Sequence, residues 1–127
     1  MIQVFRIEHA ITKIGPFQTD TEFTQYLATH TSGPRPCTDG LSLSRLPWCY
    51  KFGCLSVHTL KQWITVDDIA LSEIVTKLTD LGFVLVEYLV EKTKCRVGRS
   101  ETQLAFDPFC AHNDGLFEIY PLTKLLD

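Results

Sequence analysis

The sequence predicts a single α+β domain with a mainly antiparallel sheet and about three helices. Its length of 127 residues fits one domain, which we take to span residues 1–127. Segments of strand character lie at both ends of the chain, and helical periodicity is concentrated between them. The predicted order is β-α-loop-β-α-α-β-β-β, with helices on one face of the sheet or around its edges. With 45% apolar and 21% charged residues, the chain can bury a core without a metal or disulfide.

The N-terminal segment predicts a strand followed by a helix. Residues 2–8 have strand character, so Arg6 and Glu8 share a face with apolar side chains. An arginine in that position is expected either to pair with Glu8 or to face a cleft. Residues 19–22 fit a capping box with Thr19 as the N-cap, and apolar residues at helical spacing follow it.

A long loop and a strand–helix unit come next. Residues 33–47 contain three prolines and two glycines and predict an irregular loop, whose length is near the upper limit for compact domains. Loops of this kind are either functional lids and binding loops or simply mobile. Residues 48–55 predict an aromatic-rich strand, and Ser56 is placed to cap the helix that follows.

The most regular pattern in the chain predicts a third helix, over residues 65–81. Thr65 is its expected N-cap, the acidic residues that follow favour the positive end of the helix dipole, and Gly82 is its expected C′ residue. The nearly continuous apolar run at residues 83–90 then predicts a central strand.

A hairpin and a last strand complete the predicted fold. Residues 91–100 are expected to connect the central strand to a strand at residues 101–106, most simply as an antiparallel hairpin with Gly98 at its turn. A turn signal at residues 113–115 precedes the last strand, at residues 116–120.

Charge patterning restricts the function classes. The formal net charge is −3 and the basic residues are mostly scattered, so direct nucleic-acid binding is not expected from composition. No secretion signal pattern and no apolar run of ~20 residues is present, so we expect a cytoplasmic protein without membrane contact. One basic cluster could meet an acidic protein surface or phosphate, or could be a solvated turn that keeps a sheet edge soluble. It consists of Lys92, Lys94, Arg96 and Arg99.

The five cysteines are odd in number and irregularly spaced, which favours reduced and mostly buried thiols. Cys49 and Cys54 stand too far apart for a zinc-binding pair, and Cys110 and His112 too close together, so no metal site is predicted. Another interpretation makes Cys54 a nucleophile near a helix start, with His58 or His112 as its base, although no local signature connects them.

Three segments resemble the motifs of small ADP-ribosyltransferase-like domains. In that family an Arg or His lies on the first strand, a Ser or Tyr lies where a later strand runs into a helix, and a Glu lies on a strand near the C-terminus. The corresponding segments here are residues 4–7, 52–56 and 99–103. The resemblance implies a domain that binds NAD or another nucleotide.

The resemblance also implies roles for three residues. Arg6 would grip a phosphate or the ribose of the nucleotide, and Ser56 would pack the sugar region. Glu101 would stabilise the positive charge that develops on the ribose during transfer from NAD. If the motif is instead Glu101-x-Gln103, the catalytic position holds an amide, which implies nucleotide binding with poor transfer.

A second resemblance is to short proteins encoded by phages and mobile elements. It rests on residues 5–9 and 15–17, with a looser echo at residues 52–63. It implies an accessory role, such as the inhibition of a bacterial defence system in the manner of an anti-CRISPR protein.

Two function classes therefore remain. The first is a non-catalytic interaction protein that uses the loop at 33–47 and a charged face to bind a host or defence-system protein, without a cofactor. The second is an NAD-dependent transferase built on Arg6, Ser56 and Glu101. We favour the first, because the chain lacks a complete catalytic motif and a cofactor fingerprint. The sequence leaves the partner's identity and the oligomeric state open.

Overall fold

The computed structural model describes most of the chain, namely residues 1–31, 39–41, 46 and 49–127. The side chain of Cys110 is not described. Most of the predicted loop at 33–47 lies outside the described residues, as do Cys37 and Trp48.

Within the described residues, the chain forms six strands and four α-helices. The strands are β1 (Ile2–His9), β2 (Lys51–Cys54), β3 (Phe83–Val90), β4 (Cys95–Val97), β5 (Gln103–Phe106) and β6 (Phe117–Tyr120). The helices are α1 (Glu22–His30), α2 (Val57–Ile64), α3 (Leu71–Asp80) and α4 (Pro108–Asn113). Short 3-10 turns lie at Pro16–Gln18, Lys92–Lys94 and Leu122–Leu126.

The strands form one antiparallel sheet in the order β4-β5-β2-β1-β3-β6. β1 and β3 pair along their whole length, from Ile2 opposite Val90 to His9 opposite Phe83. β3 is paired on both sides, as predicted for a central strand, and β4 and β6 are the outer strands. The predicted fold class, an α+β domain with a mainly antiparallel sheet, is confirmed.

Both faces of the sheet bury apolar side chains, because successive residues of a strand point to opposite sides. Helices α1, α2 and α3 pack on one side, which we call the helix face, and α4 packs on the other, the α4 face. The helix-face core includes Ile7, Leu27, Cys54, Leu60, Ile64, Ile74, Leu78, Phe83 and Leu85. The α4-face core includes Val4, Val86, Tyr88, Val90, Leu104, Phe106 and Ala111.

Two predicted helix ends are confirmed. The hydroxyl of Ser56 accepts a hydrogen bond from the backbone N–H of Thr59 at 3.1 Å, so Ser56 is the N-cap of α2. Gly82 follows α3 with a φ of 94°, the left-handed conformation that ends many helices and that glycine adopts without steric cost.

The predicted N-cap of α1 is wrong. Thr21, not Thr19, precedes the helix, and its hydroxyl accepts from the backbone N–H of Thr24 at 3.1 Å. Thr19 instead ends the preceding 3-10 turn, where its hydroxyl donates to the carbonyl of Gly15 at 3.0 Å. Thr19 therefore belongs to the end of the 3-10 turn and not, as the capping pattern predicted, to the start of the helix.

The helix predicted over residues 65–81 begins later than expected. α3 starts only after its N-cap, Ala70. Val66 and Ile69 form an isolated antiparallel bridge before it, and Val66 is buried in the helix-face core. Thr65 and the acidic residues after it are typical of a helix start, but the burial of Val66 overrides this local preference.

A hairpin with Gly98 at its turn is present, but it joins different strands from those expected. It connects β4 to β5, and the backbone N–H of Gly98 donates to the carbonyl of Gln103 at 2.9 Å. β5 also pairs with β2, whereas β3 lies between β1 and β6, so the expected pairing of β3 with β5 is wrong. The predicted order omitted β4 and α4, because segments of three and six residues are too short to show a period.

Candidate functional site

The four clustered cations lie along one edge of the sheet. Lys92 and Lys94 belong to the 3-10 turn that leads into β4, Arg96 lies in β4, and Arg99 lies in the turn after it. All four residues are exposed. We call this segment, residues 92–99, the cationic edge.

The charges of the cationic edge are not neutralised by close ion pairs in the described part of the chain. The ion pairs within 4.0 Å there join Arg6 to Glu8 and Lys77 to Glu73. Neither pair includes a cation of the edge. The four charges can therefore act on an external partner, where they would steer association and favour an acidic surface.

A buried carboxylate, Asp39, holds the turn that follows β4. The residue is 7% exposed, and its carboxylate accepts hydrogen bonds from Ser100 N at 2.7 Å, Ser100 Oγ at 2.8 Å and Gln103 Nε2 at 3.0 Å. Its backbone carbonyl accepts from the N–H of Arg99 at 2.9 Å. Burial raises the pKa of Asp39, but these side-chain hydrogen bonds and the charge of Arg99 outweigh burial and hold the pKa below its ordinary value.

The close approach of Asp39 requires glycine at one position of the turn. A Cβ atom on Gly98 would stand 2.0 Å from Oδ2 of Asp39. Sequence reasoning missed this carboxylate, because its side-chain partners lie 61 and 64 residues further along the chain. The local pair Asp39-Gly40 carries only a turn signal.

The structure places Arg6 in the interior on the α4 face. Arg6 is 6% exposed, its Nε lies 3.4 Å from Oε1 of Glu8, and its Nη1 donates to the carbonyl of Phe52 at 2.7 Å. Of the two expected arrangements, pairing with Glu8 is the one observed. Burial lowers the pKa of Arg6, and the charge of Glu8 partly offsets that effect.

Ser56 and Glu101 lie at the same end of neighbouring strands. The backbone N–H of Leu55 donates to the carbonyl of Thr102 at 3.0 Å, which joins the start of α2 to the turn that carries Glu101. Glu101 is exposed and has a φ of 60°, uncommon for a residue with a side chain. The interpretation as an NAD-binding domain stays a prediction. It would require Arg6 to leave a buried ion pair, and losing one partner of such a pair costs about 3–5 kcal/mol.

A buried polar network continues from this ion pair. The hydroxyl of Tyr88 donates to Oε1 of Glu8 at 2.5 Å and lies 3.1 Å from Nε2 of His112 in α4. Burial, and then the hydrogen bond to Glu8, raise the pKa of Tyr88. Oε2 of Glu8 is buried and has no hydrogen-bond partner among the described residues. The network ties β1, β3 and α4 together.

Comparison with known proteins places the chain in a phage family. A family model described as Bacteriophage T4 Y00F protein matches residues 1–119. The chain belongs to this family. No curated protein and no solved structure matches it. The resemblance to phage proteins is thereby confirmed, and membership supports a small phage accessory protein.

The geometry of this Y00F-family chain does not favour Cys54 as a nucleophile. Cys54 is fully buried, and burial raises the pKa of its thiol, which is the reverse of what activates a nucleophile. The described residues contain no group of three or more His, Cys, Asp or Glu side chains that could hold a metal ion. In the same part of the chain, no helix is long and apolar enough to cross a membrane.

Proposed function

We propose that this phage protein binds an acidic surface of a host protein through its cationic edge, and that the bound protein belongs to a bacterial defence system that it inhibits. The observation that carries the proposal is the combination of four exposed cations, outside any close ion pair of the described residues, with the buried carboxylate beneath them.

The alternative explanation is that the cations only keep an edge strand soluble. Lysines on an edge strand do discourage association between sheets. That task needs charge but no fixed geometry. Here Asp39 is buried and makes three side-chain hydrogen bonds that fix the turn bearing Arg99. A turn held in this way favours recognition, since less conformational entropy is lost on binding.

A protein partner is favoured over nucleic acid. Two exposed carboxylates, Glu91 and Glu101, flank the cations and would repel a phosphate backbone, and the formal net charge of the chain is −3. A protein surface can place its acids opposite the cations and its bases opposite Glu91 and Glu101.

A pull-down from a lysate of the bacterial host tests the proposal. The tagged wild type is expected to recover a stoichiometric partner, and the variant Lys94→Glu/Arg96→Glu/Arg99→Glu is expected to lose it. The matched control reverses three cations elsewhere and changes the net charge by the same amount. It is Lys13→Glu/Lys61→Glu/Lys124→Glu, whose lysines also form no ion pair within 4.0 Å among the described residues, and it should retain the partner.

Three outcomes would count against the proposal. Equal loss in both variants would indicate a general charge effect, and retention in the edge variant would remove the cationic edge from the interaction. Absence of any stoichiometric partner, with a monomer on sizing, would contradict partner binding itself. Inhibition is measured by phage plating on hosts with and without the captured defence protein. We expect the gene to increase the plating efficiency of the phage only on hosts that contain that protein.

A further inference from the structure

The outer edge of β4 has backbone groups that no strand among the described residues pairs. The N–H of Gly98 donates to β5 at 2.9 Å and the carbonyl of Lys94 accepts from Asp107 N at 3.1 Å, so residues 94, 96 and 98 face β5. The backbone groups of Cys95 and Val97 therefore point away from the sheet.

One of these outward groups is used locally. The N–H of Cys95 donates to the carbonyl of Lys92. The carbonyl of Cys95 and both backbone groups of Val97 have no hydrogen bond to any described residue. Val97 is 45% exposed, so solvent reaches this part of the edge.

The side chains along this edge alternate in character. Arg96 points to one face of the sheet, and Cys95 and Val97 point to the other. In an added strand, the residue opposite Arg96 would point to the same face of the sheet as Arg96. The residues opposite Cys95 and Val97 would point to the other face, beside those two side chains. The best match is an extended segment in which acidic residues alternate with β-branched apolar residues, with further acids near Lys94 and Arg99.

We propose that β4 takes an extended acidic segment of the partner protein as an additional strand. This inference rests on the proposed function for the acidic protein partner, and adds the mode of binding and the chemistry of the segment. Backbone hydrogen bonds supply affinity in strand addition, and side-chain alternation supplies specificity. Asp39 keeps the end of β4 in place for this contact.

A second copy of the chain is a poorer occupant of β4. Antiparallel pairing of two β4 strands about Arg96 would place the two Arg96 residues opposite each other, and like charges so placed repel. The flanking lysines would add to that repulsion.

The experiment uses the full chain and two synthetic peptides of eight residues that alternate glutamate and valine. In the second peptide the valines are N-methylated, which keeps the charge but removes alternate backbone donors. Amide exchange measured by NMR is the readout. The unmodified peptide is expected to slow exchange of the Val97 amide at least tenfold, and the N-methylated peptide to leave it within twofold.

Two variants separate backbone pairing from charge. Val97→Pro removes one outward N–H and retains every cation, and proline is tolerated on edge strands when its nitrogen faces outward. Val97→Thr is the matched control that keeps the N–H. We expect Val97→Pro to bind the unmodified peptide at least tenfold more weakly than the wild type does, and Val97→Thr to bind it with an affinity within threefold of the wild type. Both affinities are measured by fluorescence polarisation on proteins with native circular dichroism.

The outcomes distinguish this inference from the proposed function. If Lys94→Glu/Arg96→Glu/Arg99→Glu loses the host partner while Val97→Pro retains it, the acidic contact stands and strand addition is overturned. No protection of Val97 at millimolar peptide, or equal binding of both peptides, also overturns it. If a single-stranded oligonucleotide binds more tightly than the peptide, the occupant of the β4 edge is nucleic acid and the proposal is overturned. If the protein self-associates and Val97→Pro abolishes this association, the occupant is a second copy of the chain, which also overturns the proposal.

Discussion

Replacement of Asp39 by alanine tests whether a buried carboxylate holds the cationic edge in place. The change removes acceptors for Ser100 N, Ser100 Oγ and Gln103 Nε2. Ser100 is exposed, so water can replace its lost partner, whereas Gln103 is fully buried and its amide group loses an acceptor. A buried donor left unsatisfied costs about 1–3 kcal/mol, and with the lost bonds to Ser100 we expect the free energy of unfolding to fall by about 2–4 kcal/mol.

Urea unfolding at pH 7 measures this loss. The matched control is Asp114→Ala, because Asp114 is an exposed aspartate in a turn, and it should change the free energy of unfolding by less than about 0.5 kcal/mol. Hydrogen exchange gives an independent readout. The amides of Arg99 and Ser100 donate to Asp39 and should exchange faster in Asp39→Ala than in the wild type.

The pH dependence of the loss follows from the lowered pKa of Asp39. A carboxyl whose pKa is lower in the folded state stabilises the protein above its unfolded pKa, and this contribution disappears as the pH falls through the folded value. The difference between wild type and Asp39→Ala should therefore shrink below about pH 4. A loss under about 0.5 kcal/mol at pH 7, or a loss that does not change with acidity, would refute the assigned role.

Three further predictions concern other parts of the molecule. Tyr88→Phe removes the hydrogen bond to buried Glu8 and should lower the free energy of unfolding by about 1–3 kcal/mol in urea; no loss would mean that the network contributes nothing. Ser56→Ala removes the N-cap of α2 and should cost about 1 kcal/mol, with exposed Ser72→Ala as its control. Because Arg6 is paired inside, millimolar NAD should not raise the melting temperature. NAD at 100 times its dissociation constant would add about 2.7 kcal/mol to the free energy of unfolding, so a clear rise would support the transferase hypothesis.

The sequence predicted elements well where the signal is local. The cap at Ser56, the helix end at Gly82 and the strand at residues 83–90 each depend on residues within a few positions of one another. The same kind of signal failed at Thr19 and at residues 65–69, since a neighbouring turn in one case and burial of a side chain in the other overrode the local preference.

The sequence by itself determined the α+β class and the cluster of four cations at residues 92–99. Only the tertiary structure decided that these cations border an outer strand, that Asp39 lies beneath their turn, and that Arg6 is enclosed with Glu8. The physical reason is separation along the chain. Periodicity and caps act over about four residues. The bonds from Asp39 to Ser100 and from Glu8 to Tyr88 span 61 and 80 residues, and form only after the strands have paired.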